Sequence, residues 1–437
     1  MTAKKLNWFR LDNSAKLYPV LVTRYTQSLF RVSAYLKEEV NPEVLNQALI
    51  DIMERFPSIN VRLRRGLFWY FIEENTAKPK VFPDDGIVLK KINSWKNNHF
   101  LFTVLYYNSR ISIEFFHAVT DGLGGTEFLK ALVFRYLTLM GKPVQADGSV
   151  IHIDQPVDIG ETEDSFLANY EGMKWKHFSS KTSKTIRGDN AYRIRGQYYE
   201  LPGYGIIEGI TPAAKLLEVA RAKNMTVTSY LGAAFLYAVY KSSGFKKFKP
   251  LTLFIPINLR GIFNSKTLRN FVLFSRAGIR EKPEGKLTLE DFARAIEKDI
   301  RKDMEKENIK DKLNSMVYIE KLWIMRILPL PLKYFFFKIG KLIMWRNSHT
   351  AILSNLGKIN VSESMEPYVD GMALNVNIAN NVPISIAVAS CVGKTRIMVT
   401  NLIHDREIIR TFFRIMAQDG VEFEIQSNLR EDPRYVL

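Results

Sequence analysis

Phe115-Phe116-His117-Ala118-Val119-Thr120-Asp121-Gly122 is the stretch on which the reading of this chain turns. An apolar run from Ile111 ends in a histidine, and a carboxylate and a glycine follow at spacing His-x-x-x-Asp-Gly. Leu123-Gly124-Gly125 comes next, then a segment from Thr126 to Met140 whose apolar spacing predicts a helix closed by Gly141. A strand end beside glycines can present an imidazole where the backbone allows close approach of a substrate. Histidine is the side chain best matched to take a proton near neutral pH. The plain alternative is a His117 satisfied in the core, beside an Asp121 that only caps the helix beginning near Leu123.

Outward from that point the chain alternates strands and helices. Ser28 to Leu36 alternates as a strand, and Asn41-Pro42 starts a helix with an apolar face of Val44, Leu45, Ala48, Leu49, Ile52, Met53 and Phe56. Ile59 to Arg64 and Leu67 to Glu73 read as strands, and Phe100 to Tyr107 with Ile111 to Phe116 reads as a hairpin. Gly160 to Gly196 is polar and poorly patterned, like a crossover. After it, Thr211-Pro212 predicts a helix start, Thr226 or Thr228 caps a helix to Tyr240, and Leu251 to Asn258 and Phe271 to Ile279 read as strands. Thr288 caps a long charged helix, late strands are Gly371 to Ile378, Ile384 to Val392 and Arg396 to Thr400, and Asp405 to Ala417 is the last helix. This is not a strict βαβ rhythm. Two α+β lobes of similar size fit better: residues 1–160, a linker at 161–196, and residues 197–437.

The totals suit that reading. In 437 residues, 46% hydrophobic composition supports a large core in two or three domains or one two-lobed unit. The single cysteine, Cys391, excludes a disulfide framework and a thiolate zinc site, and its apolar surroundings point to a buried structural thiol. The net charge of +17 is spread over helices and strands, with no basic tail and no nucleic-acid motif, so nucleic acid is not the expected partner. A phosphate-rich cosubstrate and an anionic membrane surface fit the charge, as does a solvated basic surface with no partner. The first residues show no secretory signal, and no window of about 18 uncharged apolar residues predicts a spanning helix. A cytoplasmic location is expected, with association at the inner membrane surface as a variant.

Two further strings complete the picture: Phe254-Ile255-Pro256-Ile257-Asn258-Leu259-Arg260 followed by Ser265-Lys266-Thr267-Leu268-Arg269-Asn270-Phe271, and Ile352-Leu353-Ser354-Asn355-Leu356-Gly357. With the His117 motif, and in this order, they resemble the CoA-dependent acyltransferase superfamily, the chloramphenicol-acetyltransferase-like fold. Its members include plant acyltransferases, alcohol acetyltransferases and the condensation domains of peptide synthetases. The resemblance covers nearly the whole chain. It implies two chloramphenicol-acetyltransferase-like lobes with a catalytic tunnel between them, and transfer of an acyl group from acyl-CoA to a hydroxyl acceptor without a covalent enzyme intermediate. It implies His117 as general base, Asp121 as a structural partner of Arg260, and Gly122 as the residue that keeps the turn open.

There are departures from the pattern. Condensation domains usually carry a second histidine before the catalytic one, and here that place is Phe116. A carrier-protein-dependent, amide-forming condensation enzyme is therefore the second reading, and a retired acyltransferase fold that binds a ligand is the third. Ser354 and Asn355 suit an oxyanion or tunnel role and equally a turn. His99, His152, His177, His349 and His404 have no partner at metal spacing, so no metal is expected, and no permanently bound cofactor.

The segment Lys321 to Arg346 stands apart. It holds Trp323, Phe335, Phe336, Phe337 and Trp345 with six basic residues and no acid. That composition fits a membrane-surface helix pair, helices lining a lipophilic tunnel, or core.

Overall fold

The structure is a computed structural model that describes residues 8–23, 27–173, 189–200, 204–244, 247–344, 348–378 and 381–428. Within the expected linker, residues 174–188 with His177 lie outside the described residues, as do Trp345 and Arg346.

The first half opens with β1 (Trp8–Arg10) and β2 (Leu29–Leu36). On β2 the apolar residues Phe30, Val32, Ala34 and Leu36 join the core, while Arg31 and Ser33 on the other face bond Glu114 and Ser112. The helix Pro42–Ile52 follows because Asn41 Oδ1 accepts the N–H groups of Glu43 and Val44 and proline occupies its first turn. Strands β3 (Val61–Arg65), β4 (Tyr70–Glu74) and β5 (Val81–Pro83) come next, then the hairpin of β6 (Phe102–Tyr107) and β7 (Arg110–Phe116). Asn108 turns that hairpin at φ +47°, a conformation asparagine tolerates.

The next helix, Gly122–Leu139, starts four residues before the expected Thr126. The glycines that suggested a loop are packing devices instead. A Cβ on Gly124 would stand 2.1 Å from Leu268 O and 2.2 Å from Thr120 Oγ1, and one on Gly125 would stand 2.9 Å from the Phe30 ring. Asp121 caps the helix early enough to include them.

The second half contains β8 (Gly205–Pro212), β9 (Leu251–Asn258), β10 (Val272–Ile279), β11 (Ala351–Lys358), β12 (Val369–Val376), β13 (Ile384–Cys391), β14 (Lys394–Asn401) and β15 (Glu424–Ser427). Sequence patterning missed β8, β11 and β15 here, and β1 and β5 in the first half. Pro212 ends β8 and its helix begins only at Ala213, and Gly209 breaks the apolar pattern within the strand because a Cβ there would meet Phe413 at 2.4 Å.

These strands form three sheets, ordered β1-β4-β3, β12-β2-β7-β6-β5 and β10-β9-β11-β13-β14-β8-β15. The five-stranded sheet takes its edge strand from late in the chain: β12 pairs antiparallel with β2, from Val369 opposite Leu36 to Val376 opposite Phe30. One hydrophobic core surrounds that sheet, with Phe30, Phe115, Phe128 and Leu374. Another surrounds the buried helix Val227–Ser242 against the seven-stranded sheet. Each fully buried phenylalanine contributes about 1.5–3 kcal/mol of transfer free energy. Between the two sheets the Tyr35 hydroxyl donates to Glu208, and Arg396 bonds Glu208 and Asp370 while lying over the Tyr35 ring at 3.8 Å. Cys391 is buried there, and burial pushes its thiol up to about 11, away from nucleophile chemistry.

Candidate active site

Everything at this site converges on the turn after β7. His117 N–H donates to Ser28 O at 2.9 Å, which extends the β2–β7 pairing by one residue and fixes where the imidazole leaves the sheet. The ring is half-buried. It stacks on Tyr18 with centroids 4.4 Å apart and planes 15° apart, and meets Phe30 edge-on at 4.9 Å.

The polar partners come from the second half, and from one loop. The connection between β9 and β10 carries Arg260 near its start and Asn270 at its end, and both reach the turn at residues 117–121. Arg260 Nη1 and Nη2 donate to Asp121 Oδ2 and Oδ1 at 2.9 and 3.0 Å, a bidentate pair with Asp121 buried and Arg260 half-buried. Asp121 Oδ1 also accepts Gly124 N–H at 3.1 Å, and Oδ2 accepts Phe271 N–H at 3.0 Å. Asp121 thus caps the helix and pairs with Arg260 through the same carboxylate. The other guanidinium N–H groups donate to Thr267 O and Arg269 O, both at 2.7 Å, and to Asn258 Oδ1 at 3.2 Å, so Arg260 also holds the far arm of its own loop.

That arm positions Asn270. Its Nδ2 donates to Asp12 Oδ2 at 3.1 Å and to His117 O at 3.0 Å, and its Oδ1 lies 2.9 Å from His117 Nδ1. A carboxylate and a carbonyl can only accept, so the amide NH₂ must face them and Oδ1 must face the imidazole. An oxygen acceptor at Nδ1 needs a proton on Nδ1. The lone pair of the neutral ring is then on Nε2. Asp12 is itself fully buried, held by Ala15 N–H at 2.7 Å, by the Ser14 hydroxyl at 3.0 Å, and with Arg269 Nε at 3.9 Å. Burial pulls the His117 pKa below its ordinary value, and the nearby Asp121 charge, the Asn270 hydrogen bond and the Asp12 charge oppose that shift without cancelling it.

The other expected residues are placed as follows. Gly122 opens the helix, and a Cβ there would approach Leu356 Cδ2 to 3.2 Å, so the string Ser354-Asn355-Leu356-Gly357 on β11 abuts the turn through its leucine. Asn355 Nδ2 donates to Thr228 Oγ1 at 3.0 Å and its Oδ1 accepts Gly357 N–H at 2.8 Å, so this amide serves a turn and a helix start. Ser354 is buried on the same strand. Phe116, in the place of a second histidine, is half-buried on β7. Among the described residues, no cluster of His, Cys, Asp or Glu is placed to hold a metal ion. Sequence reasoning did not assign Asn270, Asp12 or Tyr18. Asn270 lies in the string Ser265 to Phe271 with no spacing that assigns it a role, and Asp12 is 258 positions from its partner with no local signal.

No protein-family model matches this chain, and no curated protein sequence matches it. Solved structures do. The trichothecene 15-O-acetyltransferase of Fusarium sporotrichioides superposes with a TM-score of 0.61 at 11% identity, over 94% of each chain. TRI101 of F. graminearum, complexed with ethyl coenzyme A, gives 0.57 at 10% identity over 97% of this chain and 100% of that one. The starter condensation domain of rhizomide synthetase, in complex with C8-CoA, gives 0.58 at 11% identity over 96% and 98%.

Proposed function

The chain has the fold shared by the CoA-dependent acyltransferases and the condensation domains, and from that premise we propose that it transfers an acyl group from acyl-CoA to a hydroxyl acceptor. The observation that carries the proposal is the saturated amide of Asn270, which leaves His117 with a proton on Nδ1 and a lone pair on Nε2. In this reading Nε2 takes the acceptor's hydroxyl proton as its oxygen attacks the thioester carbonyl. The tetrahedral intermediate collapses, the C–S bond breaks, and the departing CoA thiolate recovers the proton from the imidazolium. Ester and free CoA leave, and no bond to the protein forms. CoA as donor is supported by TRI101 and the starter condensation domain, whose structures hold a CoA ligand.

The test is direct. Purified protein is offered a panel of acyl-CoA donors with alcohols, and released CoA is read with a thiol probe. Thiol release that depends on the alcohol and yields its ester is the expected result. Release only with an amine acceptor or a carrier-protein-bound donor favours the amide-forming reading, against which Phe116 stands. No release with any pair leaves a binding protein.

Asn270 is a positioning residue in this mechanism, and its variant has a directional signature. Its oxygen favours the protonated ring. Asn270→Leu should therefore move the acid limb of kcat/KM to lower pH, while kcat falls roughly 10- to 100-fold, the usual scale for a lost orienting contact. In the unaltered protein that limb should already lie below the ordinary histidine value of about 6.5. Stability should fall as pH drops through that value, because the unfolded chain takes the proton first. An acid limb that moves up in Asn270→Leu would remove this role.

A further inference from the structure

The helix Leu330–Met344 is turned inside out. Leu332, Phe335, Phe336 and Ile339 fall at i, i+3, i+4 and i+7, the stripe that ordinarily faces a core. Here all four are exposed, Phe335 by 58% and Phe336 by 57%. Lys333, between them in sequence, is 1% exposed. Its Nζ donates to Phe68 O at 2.7 Å and lies 3.8 Å from the centre of the Trp69 ring. The Tyr334 hydroxyl donates to Pro19 O at 3.1 Å and shares a 2.9 Å hydrogen bond with the Tyr70 hydroxyl. The helix is thus anchored through buried Leu330 and the polar atoms of Lys333 and Tyr334, and presents Phe335 and Phe336 outward.

Exposed apolar residues also occur on the short helix that precedes it in the chain and on the turn to which it is hydrogen-bonded. Trp323 is 70% exposed on the short helix Trp323–Ile327, with Ile324 and Ile327 beside it. Leu67 and Phe68 are exposed on the β3–β4 turn, which Leu330 N–H reaches through Leu67 O at 2.9 Å. Exposed Arg65, Lys321 and Arg326 accompany these residues, and no Asp or Glu occurs from Lys321 to Met344. Proteins that work alone in water rarely leave so much aromatic surface open.

We propose that this face docks on an anionic lipid surface. Aromatic rings outward with a cationic fringe is the composition of interfacial helices, in which rings enter the headgroup region and Lys and Arg meet its negative charge. A second copy of the chain would set two cationic fringes against each other. Among the described residues no helix is long and apolar enough to cross a bilayer, so the contact is peripheral. The anchored side of the helix also reaches the site described above: Pro19, which receives Tyr334, belongs to the short helix Tyr18–Leu21, and Tyr18 stacks on His117. The consequence for substrate rests on the acyl-transfer reading. A docked protein would draw its acceptor from the bilayer, which makes a lipid-like alcohol the substrate class.

Flotation tests the docking without turnover. The full chain is mixed with vesicles of phosphatidylcholine alone or of phosphatidylcholine with phosphatidylglycerol, at low and high salt. It should float with the anionic vesicles at low salt, and the bound fraction should drop about tenfold or more in high salt. The double variant Phe335→Ser/Phe336→Ser should lose flotation with unchanged melting, and Trp323→Ser, on a separate helix, should weaken it. His117→Ala should float like the unaltered chain, so failed acyl transfer and failed docking are read separately. A chain that stays down at low salt, or binds neutral vesicles equally well, overturns the proposal. So does a dimer in solution that Phe335→Ser dissolves.

Discussion

His117→Ala is expected to slow acyl transfer by about 10²–10⁴-fold with the fold intact, the range for a lost general base. That rate loss corresponds to about 2.7–5.5 kcal/mol in the barrier. The stability cost is smaller. The variant gives up a ring stack with Tyr18 and an edge contact with Phe30, worth about 0.5–1.5 kcal/mol per pair, and one hydrogen bond worth about 1 kcal/mol. The residue is half-buried, and the space its ring leaves can admit a water that satisfies Asn270 Oδ1. Against a typical total of about 5–15 kcal/mol the chain should stay folded, and the two effects separate in a paired measurement of turnover and thermal melting. Turnover near that of the unaltered protein, at unchanged melting, would place the base elsewhere.

The parts of this site that were legible in the sequence share one property: each is a local pattern. The strand before His117, the capping chemistry of Asn41 and Thr288, and each of the three strings are read within a few residues. What was not legible is long-range. Asp12 meets Asn270, and Ser28 meets His117 across strands that only the folded sheet brings together. Periodicity failed where packing overrode it. Gly122, Gly124 and Gly125 look like a loop because glycine is a poor helix former, yet the helix needs them where it passes Leu268 O and Phe30. The stripe at Leu332, Phe335, Phe336 and Ile339 shows the opposite case. Its spacing predicts an amphipathic helix correctly, but spacing alone says nothing about whether the apolar face meets a core or the outside.

Breaking the Asp121–Arg260 pair should cost the chain much of its stability. Asp121 is 2% exposed, and its carboxylate spends both oxygens on the guanidinium and on two backbone N–H groups. Arg260→Ala leaves that buried charge with only the N–H groups of Gly124 and Phe271, and strips Thr267 O and Arg269 O of their donor. Asp121→Asn keeps the shape but turns an NH₂ toward donors that need an acceptor. Removing one partner of a buried pair costs about 3–5 kcal/mol, far above the ~1 kcal/mol or less of an exposed one. Arg260→Lys should not rescue, because one ammonium cannot span both carboxylate oxygens and two carbonyls. The damage should also reach the rate. Arg269 O, which Arg260 holds, belongs to the residue before Asn270, so a loosened loop misplaces the amide that orients His117. Denaturant unfolding of Asp121→Asn, Arg260→Ala and the double variant decides the point: the double should cost well under the sum of the singles, since the second change removes a group already stranded. Single variants that each cost less than about 1 kcal/mol, or that add without coupling, would show that the contact does not hold the two halves of the chain together at this turn.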